Sequence, residues 1–255
     1  MPAAAAAGAG VAAAGFAVRT LHAPKEGNTE EQYEDAFRCG VSGEDARLTV
    51  TVADGASSAV FARQWAQLLV DAFHESPALG AADGELREAV ARLGDAWREE
   101  VTGRAKSWYA QEKLPQGSSA ALLVAQWEPA RGTLRAMAVG DACLFVVRND
   151  RLRFGFPVTR AHAFGDRPPL LSTEARGEAP PFLRFETPFQ AGDRFLLMTD
   201  ALAAWFLGTF EARRKPWNGL PQDEEAFAAW LKQRRDAGEI KNDDVTLVEV
   251  IAAAD

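Results

Sequence analysis

Four aspartates stand at the borders of hydrophobic runs: Asp35 in Tyr33-Glu34-Asp35-Ala36, Asp54 in Val52-Ala53-Asp54-Gly55-Ala56, Asp200 in Met198-Thr199-Asp200-Ala201, and Asp243 in Asn242-Asp243-Asp244-Val245-Thr246. A carboxylate at the exit of a buried strand is held rigidly and faces the rim of its sheet. Several on one rim would make an oxygen-rich anionic pocket, which is what a hard divalent cation requires. Glu34 adds a second acid beside Asp35, and Gly55 lets a backbone carbonyl approach a ligand closely. A lone aspartate at such a place is ordinarily a turn or helix-cap residue. The functional case rests on the set.

The elements that must position these residues follow from periodicity. Residues 16–21, 35–39 and 47–53 read as strands, the last by alternation of polar and apolar side chains. Asp54-Gly55 turns the chain, and Ser57 or Ser58 is expected to cap a helix whose stripe is Phe61, Trp65, Leu68, Leu69 and Ala72. A second helix is expected over about 84–111, with Leu86, Val90, Leu93, Trp97 and Val101 inward. Strand patterns follow at 119–127, 133–139, 142–148 and 151–154, with Asn149-Asp150 as a tight turn. Residues 155–181 hold five prolines and read as a long surface excursion, a candidate flap. Strands resume at 182–187 and 194–199. A helix follows Asp200, another spans about 223–236 with Asp223 as its cap, and residues 245–251 form the last strand. There is no regular strand–helix alternation, so antiparallel sheets covered by helix pairs fit better than a doubly wound parallel sheet.

The 255 residues are 47% hydrophobic with a net charge of −8, ample for one large core and poorly suited to nonspecific nucleic-acid binding. Cys39 and Cys143 have no CxxC spacing and no nearby histidine pair, so buried reduced thiols are expected, not zinc or disulfide chemistry. Residues 1–14, rich in alanine and glycine, are expected to form a loose arm preceding one domain over 15–255. No apolar stretch reaches the ~20 residues needed to span a bilayer. A cytoplasmic protein without membrane or nucleic-acid partners is the expectation.

With these pieces in order, the sequence resembles the metal-dependent serine/threonine phosphatases of the PPM class, the protein phosphatase 2C-like family. Glu34-Asp35-Ala36 matches that family's early acidic pair, and Val52-Ala53-Asp54-Gly55 its Asp-Gly signature. Gly117-Ser118-Ser119-Ala120 resembles its Gly-Ser/Thr-Thr-Ala strand entry. Val139-Gly140-Asp141, followed by Arg148-Asn149-Asp150-Arg151-Leu152, matches its Gly-Asp hairpin. Leu196-Leu197-Met198-Thr199-Asp200 and Asp243-Asp244-Val245-Thr246 match its last two motifs. The likeness runs from about residue 16 to 251.

The resemblance implies an α+β fold, a four-layer α-β-β-α sandwich of two antiparallel sheets flanked by helix pairs. It also implies two Mg²⁺ or Mn²⁺ ions at one end. Carried over, Asp54 would bridge the ions, the Gly55 carbonyl would complete one site, and Asp200 and Asp243 would hold the other. Glu34 and Asp35 would reach the second ion through water, and Asp141 is the candidate for a weaker third. A water shared by two metals deprotonates readily and attacks a phosphoryl group in line. That suits a chain with three histidines and no credible Ser-His-Asp or Cys-His set. The implied substrate is a phosphorylated protein, with a serine/threonine kinase in opposition and a place in signalling.

Departures from the family pattern bear on the substrate. The arginine usually found five positions before the early aspartate is Glu30 here. Lys25 is the candidate replacement for gripping phosphate, and Arg63 the second; a lysine is a point charge, not a bidentate fork. Ala204 stands where many members carry an acid for the third metal. His22 and His162 are candidates for protonating a leaving group, with ordinary surface or half-buried roles the commoner outcome. Two other readings remain open: a catalytically weak binding or regulatory module, and a hydrolase of a small phosphorylated metabolite.

Overall fold

Strands buried on both faces must be apolar at every position, and that pattern decides the layering. In the computed structural model, which describes residues 11–13, 15–43, 45–57, 59, 61–104, 112, 114–165, 167–174 and 179–253, the chain begins with β1 (Val11–Ala13), β2 (Phe16–Ala23), β3 (Ala36–Ser42) and β4 (Arg47–Gly55). Helices α1 (Ala62–Glu75) and α2 (Asp83–Thr102) follow. Then come β5 (Ser119–Glu128), β6 (Thr133–Val139), β7 (Cys143–Arg148), β8 (Arg151–Phe156), the two-residue β9 (Leu171–Ser172), β10 (Leu183–Pro188) and β11 (Arg194–Met198). Helices α3 (Asp200–Glu211) and α4 (Glu224–Asp236) precede the closing β12 (Val245–Ala252).

Every strand pairing is antiparallel. One sheet has the order β1-β2-β12-β11-β7-β8; the other runs β10-β6-β5-β4-β3, with β9 added beside β5. Side chains of period two split between the layers. In β5, Leu123, Ala125 and Trp127 enter the core between the sheets, whereas Leu122 and Val124 pack under α1 and α2. In β11, Phe195 and Leu197 face the central core, and Leu196 and Met198 face α3 and α4. Each such fully buried leucine or phenylalanine contributes about 1.5–3 kcal/mol. The result is the expected α+β sandwich of helices, sheet, sheet and helices.

Several local expectations are corrected. Val11–Ala13, assigned by composition to the loose arm, pairs with β2, and Gly15 at φ +80 turns the chain between them. Residues 1–10 and Ala14 lie outside the described residues. Helix α1 has no serine cap: it starts after Phe61, whose backbone is left-handed at φ 54. Ser57 is engaged elsewhere, and Ser58 lies outside the described residues. The buried face of α1 is Ala62, Trp65, Ala66, Leu69, Val70 and Phe73, a stripe rotated from the one that Leu68 and Ala72 suggested. Helix α2 ends at Thr102, and residues 105–111 lie outside the description. Asp223 caps α4 as expected, accepting from the Ala226 amide at 2.8 Å.

The excursion after β8 is tied down, although Asp166 and residues 175–178 lie outside the description. Its single turn of 3₁₀ helix, Ala161–Ala163, sits on α3, with the Ala161 amide donating to Glu211 Oε1 at 3.1 Å. Strand β9 is pinned by Trp65, whose indole N–H donates to the Leu171 carbonyl at 2.9 Å.

Candidate metal centre

Antiparallel pairing puts the end of one strand beside the start of the next, and this gathers the acids at one rim. Ala36 pairs with Ala53, so Asp35, entering β3, lies beside Asp54, leaving β4. Asp54 pairs with Ala121, and a Cβ on Gly140 would stand 2.5 Å from the Ala121 Cβ. Gly140, at φ +95, therefore lets the β6–β7 turn deliver Asp141 against the same strand end. In the other sheet Met198 pairs with both Leu247 and Cys143, which brings Asp200, at the start of α3, near the loop carrying Asp243 and near Asp141. The Asp200 amide donates to Asp54 Oδ2 at 3.4 Å, linking the two sheets.

The acids act on one another. Burial, then the charges of Asp35, Asp200 and Asp141, hold the Asp54 carboxyl well above the usual carboxylate range. Asp35, 3% exposed, is raised by burial and by Asp244 and Asp200, against hydrogen bonds from Thr246 and Thr199 that lower it. Asp200 is raised by burial and Asp243, with Lys241 opposing. Asp141 is pushed up to about 6 by burial and Asp200. A hard cation among these oxygens would turn mutual repulsion into coordination, and every donor is of the oxygen type that Mg²⁺ and Mn²⁺ favour. The residues fit the metals that the sequence pattern implied.

Among the described residues no three His, Cys, Asp or Glu side chains are already drawn into a ligating cluster. Like charges keep their distance, and lysines hold two of the expected ligands. Lys25 Nζ lies 3.3 Å from Glu34 Oε2, and Lys241 Nζ lies 2.8 Å from Asp243 Oδ2. Ser57 joins the two sides: it accepts from Lys25 Nζ and donates to Asp243 Oδ1, both at 3.3 Å. Gly55 is closely constrained, because a Cβ there would stand 2.5 Å from the Glu34 carbonyl oxygen.

Glu30, which stands at the family's usual arginine position, is engaged within its own neighbourhood. Its carboxylate lies 3.2 Å from His22 Nε2, and its carbonyl accepts from Arg63 at 2.6 Å. Arg63 and Lys25 line one groove of about 300 Å³ with Glu34.

Sequence reasoning missed Asp244 and Lys241. Asp244, 4% exposed, accepts from the Lys25 amide through Oδ1 and from the Glu34 amide through Oδ2, both at 2.7 Å. It clamps the loop bearing both residues to the start of β12. Its adjacency to Asp243 was the available signal. Thr246 completes the brace, donating to Asp35 Oδ2 at 2.8 Å while sharing a short hydrogen bond with the Tyr33 hydroxyl.

A family model for protein phosphatase 2C matches residues 27–250, a span that includes every acid described above. The chain belongs to the protein phosphatase 2C family. No curated protein matches it by sequence. Among solved structures, PppA, a regulatory component of T6SS in Pseudomonas aeruginosa, is 19% identical with a TM-score of 0.58, covering 94% of this chain and 99% of that one. The Mycobacterium tuberculosis serine/threonine phosphatase PstP is 17% identical with a TM-score of 0.58, covering 94% and 99%. The PstP catalytic domain in complex with two manganese ions is 18% identical with a TM-score of 0.56, covering 94% and 100%. At these identities the likeness establishes the fold, and the protein phosphatase 2C sandwich is the one built above.

Proposed function

We propose that this protein is a Mg²⁺- or Mn²⁺-dependent phosphatase that hydrolyses phosphoserine and phosphothreonine in proteins, acting in the cytoplasm against a serine/threonine kinase. The observation that carries the reading is the convergence of Asp35, Asp54, Asp141, Asp200 and Asp243 at one rim. There, burial and mutual repulsion raise four of the five carboxyls. Asp54, the Gly55 carbonyl, Asp200 and Asp243 would hold two ions directly. Glu34 and Asp35 would contact the second through water, and Asp141 would offer a weaker third position. The manganese pair in the PstP complex supports this count. Bound there, the ions would supply a water of lowered pKa and charge neutralisation at the phosphoryl oxygens.

The chain's own groups do the rest. Lys25 is a half-buried cation at the mouth of the site and would draw the substrate phosphate toward the acids, with Arg63 across the same groove. Asp244 fixes the backbone of Lys25 and Glu34, so the cation and the acid keep their spacing. Ser57 orients Asp243. Among the described residues no helix is long and apolar enough to cross a membrane.

One observation favours a second reading, a phosphatase-like regulatory module: Glu34 and Asp243 are each paired to a lysine. Hydrolysis of p-nitrophenyl phosphate with Mn²⁺, with and without chelator and beside Asp54→Asn, separates the two. Turnover that needs metal and Asp54 supports the enzyme, whereas none under any metal supports the module. Phosphopeptides compared with small phosphorylated metabolites then define the substrate class.

A further inference from the structure

A pocket of about 420 Å³ opens beside the candidate metal centre. Asp200 and Lys241 belong to its wall, so pocket and centre are continuous. Ala201, Ala204 and Trp205 of α3 form an apolar side, and Phe164, from the segment after β8, closes another. The segment is fixed there by the bond from Ala161 to Glu211. Trp205 is braced edge-on by Trp230, with ring centres 4.8 Å apart. The pocket is thus walled by packed elements, not by a loose loop.

Its charge is unusual beside an acidic centre. Arg214 reaches the rim, and among the described residues its guanidinium has no ion pair or hydrogen bond. Lys241 supplies a second cation, exposed except for its contact with Asp243. Two acids share the wall: Glu239 is offset by Arg234 at 2.7 Å, and Asp200 belongs to the candidate metal centre, where a bound cation would neutralise it. An unpaired arginine at the edge of an apolar pocket is a fit for a carboxylate carried on a short aliphatic stem.

We propose that this pocket receives an acidic side chain flanking the phosphorylated residue, so that Arg214, with Lys241, makes the protein select phosphopeptides with Asp or Glu beside the phosphoserine or phosphothreonine. This rests on the phosphatase reading above and adds the sequence context of its substrate. The carboxylate pairs with Arg214, and the neighbouring apolar atoms of the peptide lie against Trp205 and Phe164. A basic flanking residue meets Arg214 and Lys241 as like charges and is disfavoured.

The test uses two phosphopeptides that differ only in a glutamate or a lysine next to the phosphoserine. The full-length protein with Mn²⁺ is expected to show kcat/KM about threefold to fivefold higher for the glutamate peptide, the range of a partly exposed ion pair. Arg214→Glu is expected to reverse the preference; Arg214→Gln, the milder variant, is expected to erase it and serves if the first does not fold. An unchanged ratio in a folded variant would overturn the proposal. Fluorescence anisotropy of the same labelled peptides reads binding without turnover. If the wild type hydrolyses neither these peptides nor p-nitrophenyl phosphate, the phosphatase reading fails, and anisotropy alone decides the pocket. Binding of the glutamate peptide weakened severalfold by Arg214→Glu supports it, and equal binding in both proteins refutes it.

Discussion

Asp244 is the residue on which the loop bearing Lys25 and Glu34 hangs, and Asp244→Asn isolates what it does. The carboxylate accepts two backbone N–H groups, from Lys25 and Glu34, at 2.7 Å each, in a position 4% exposed. Whichever way an asparagine amide turns, one of those N–H groups faces an NH₂ in place of an oxygen. One charge-assisted bond is lost, the other weakened, and a buried donor is left unpaired. A charge-assisted bond is worth about 1.5–3 kcal/mol, and an orphaned buried donor costs about 1–3 kcal/mol. Because these overlap, the expected loss is about 2–3 kcal/mol. For a domain of this size each kcal/mol moves Tm by roughly 2–4 °C, so Tm should fall by roughly 4–12 °C. Calorimetry in chelator removes any contribution from metal. Hydrogen exchange localises the effect: the Lys25 and Glu34 amides should lose protection while those of β7 keep theirs. An unchanged Tm with unchanged protection at Lys25 and Glu34 would refute the clamp.

Other outcomes follow from the same geometry. Gly55→Ala places a Cβ 2.5 Å from the Glu34 carbonyl, so it should destabilise the fold by about 1–3 kcal/mol and weaken Mn²⁺ binding, both read by calorimetry. Asp35, Asp54, Asp141 and Asp200 have folded-state pKa values above their unfolded ones, so between those values the folded chain holds more protons. Metal-free stability should therefore fall as pH rises through that window, which for Asp141 extends to about 6. In chelator, Tm should be lower at about pH 7.5 than at about pH 5, and excess Mn²⁺ should remove the difference; a Tm that climbs over this range contradicts the shifts. Lys25→Ala should raise KM for phosphoesters about fivefold, with a smaller effect on kcat; unchanged kinetics remove Lys25 from the site.

The sheets were legible because strands buried on both faces leave continuous apolar runs, as at 194–199, and the acids stood out as the residues where those runs stop. The phase of α1 was harder to read. Ala66 is small and easily passed over beside Leu68, yet Ala66 is the one that faces the sheet. Strand β9 has two residues in a proline-rich stretch, too few for any period to show. The candidate site was legible as a set of residue types but not as a set of contacts. Gly55 could be singled out for its freedom, whereas its actual constraint, the Glu34 carbonyl pressed against it, is a meeting of distant segments. Lys241 and Asp244 resemble ordinary loop charges in the sequence; Lys241 pairs with Asp243 two positions on in its own loop, and only the crossing of two loops makes Asp244 a clamp.

Manganese binding by titration calorimetry, on chelator-stripped protein, tests most directly whether these acids act as one cage. Two ions per chain are expected for the wild type, with tight binding abolished by Asp54→Asn while far-ultraviolet circular dichroism stays the same. Absence of binding, or binding indifferent to Asp54, would contradict the account.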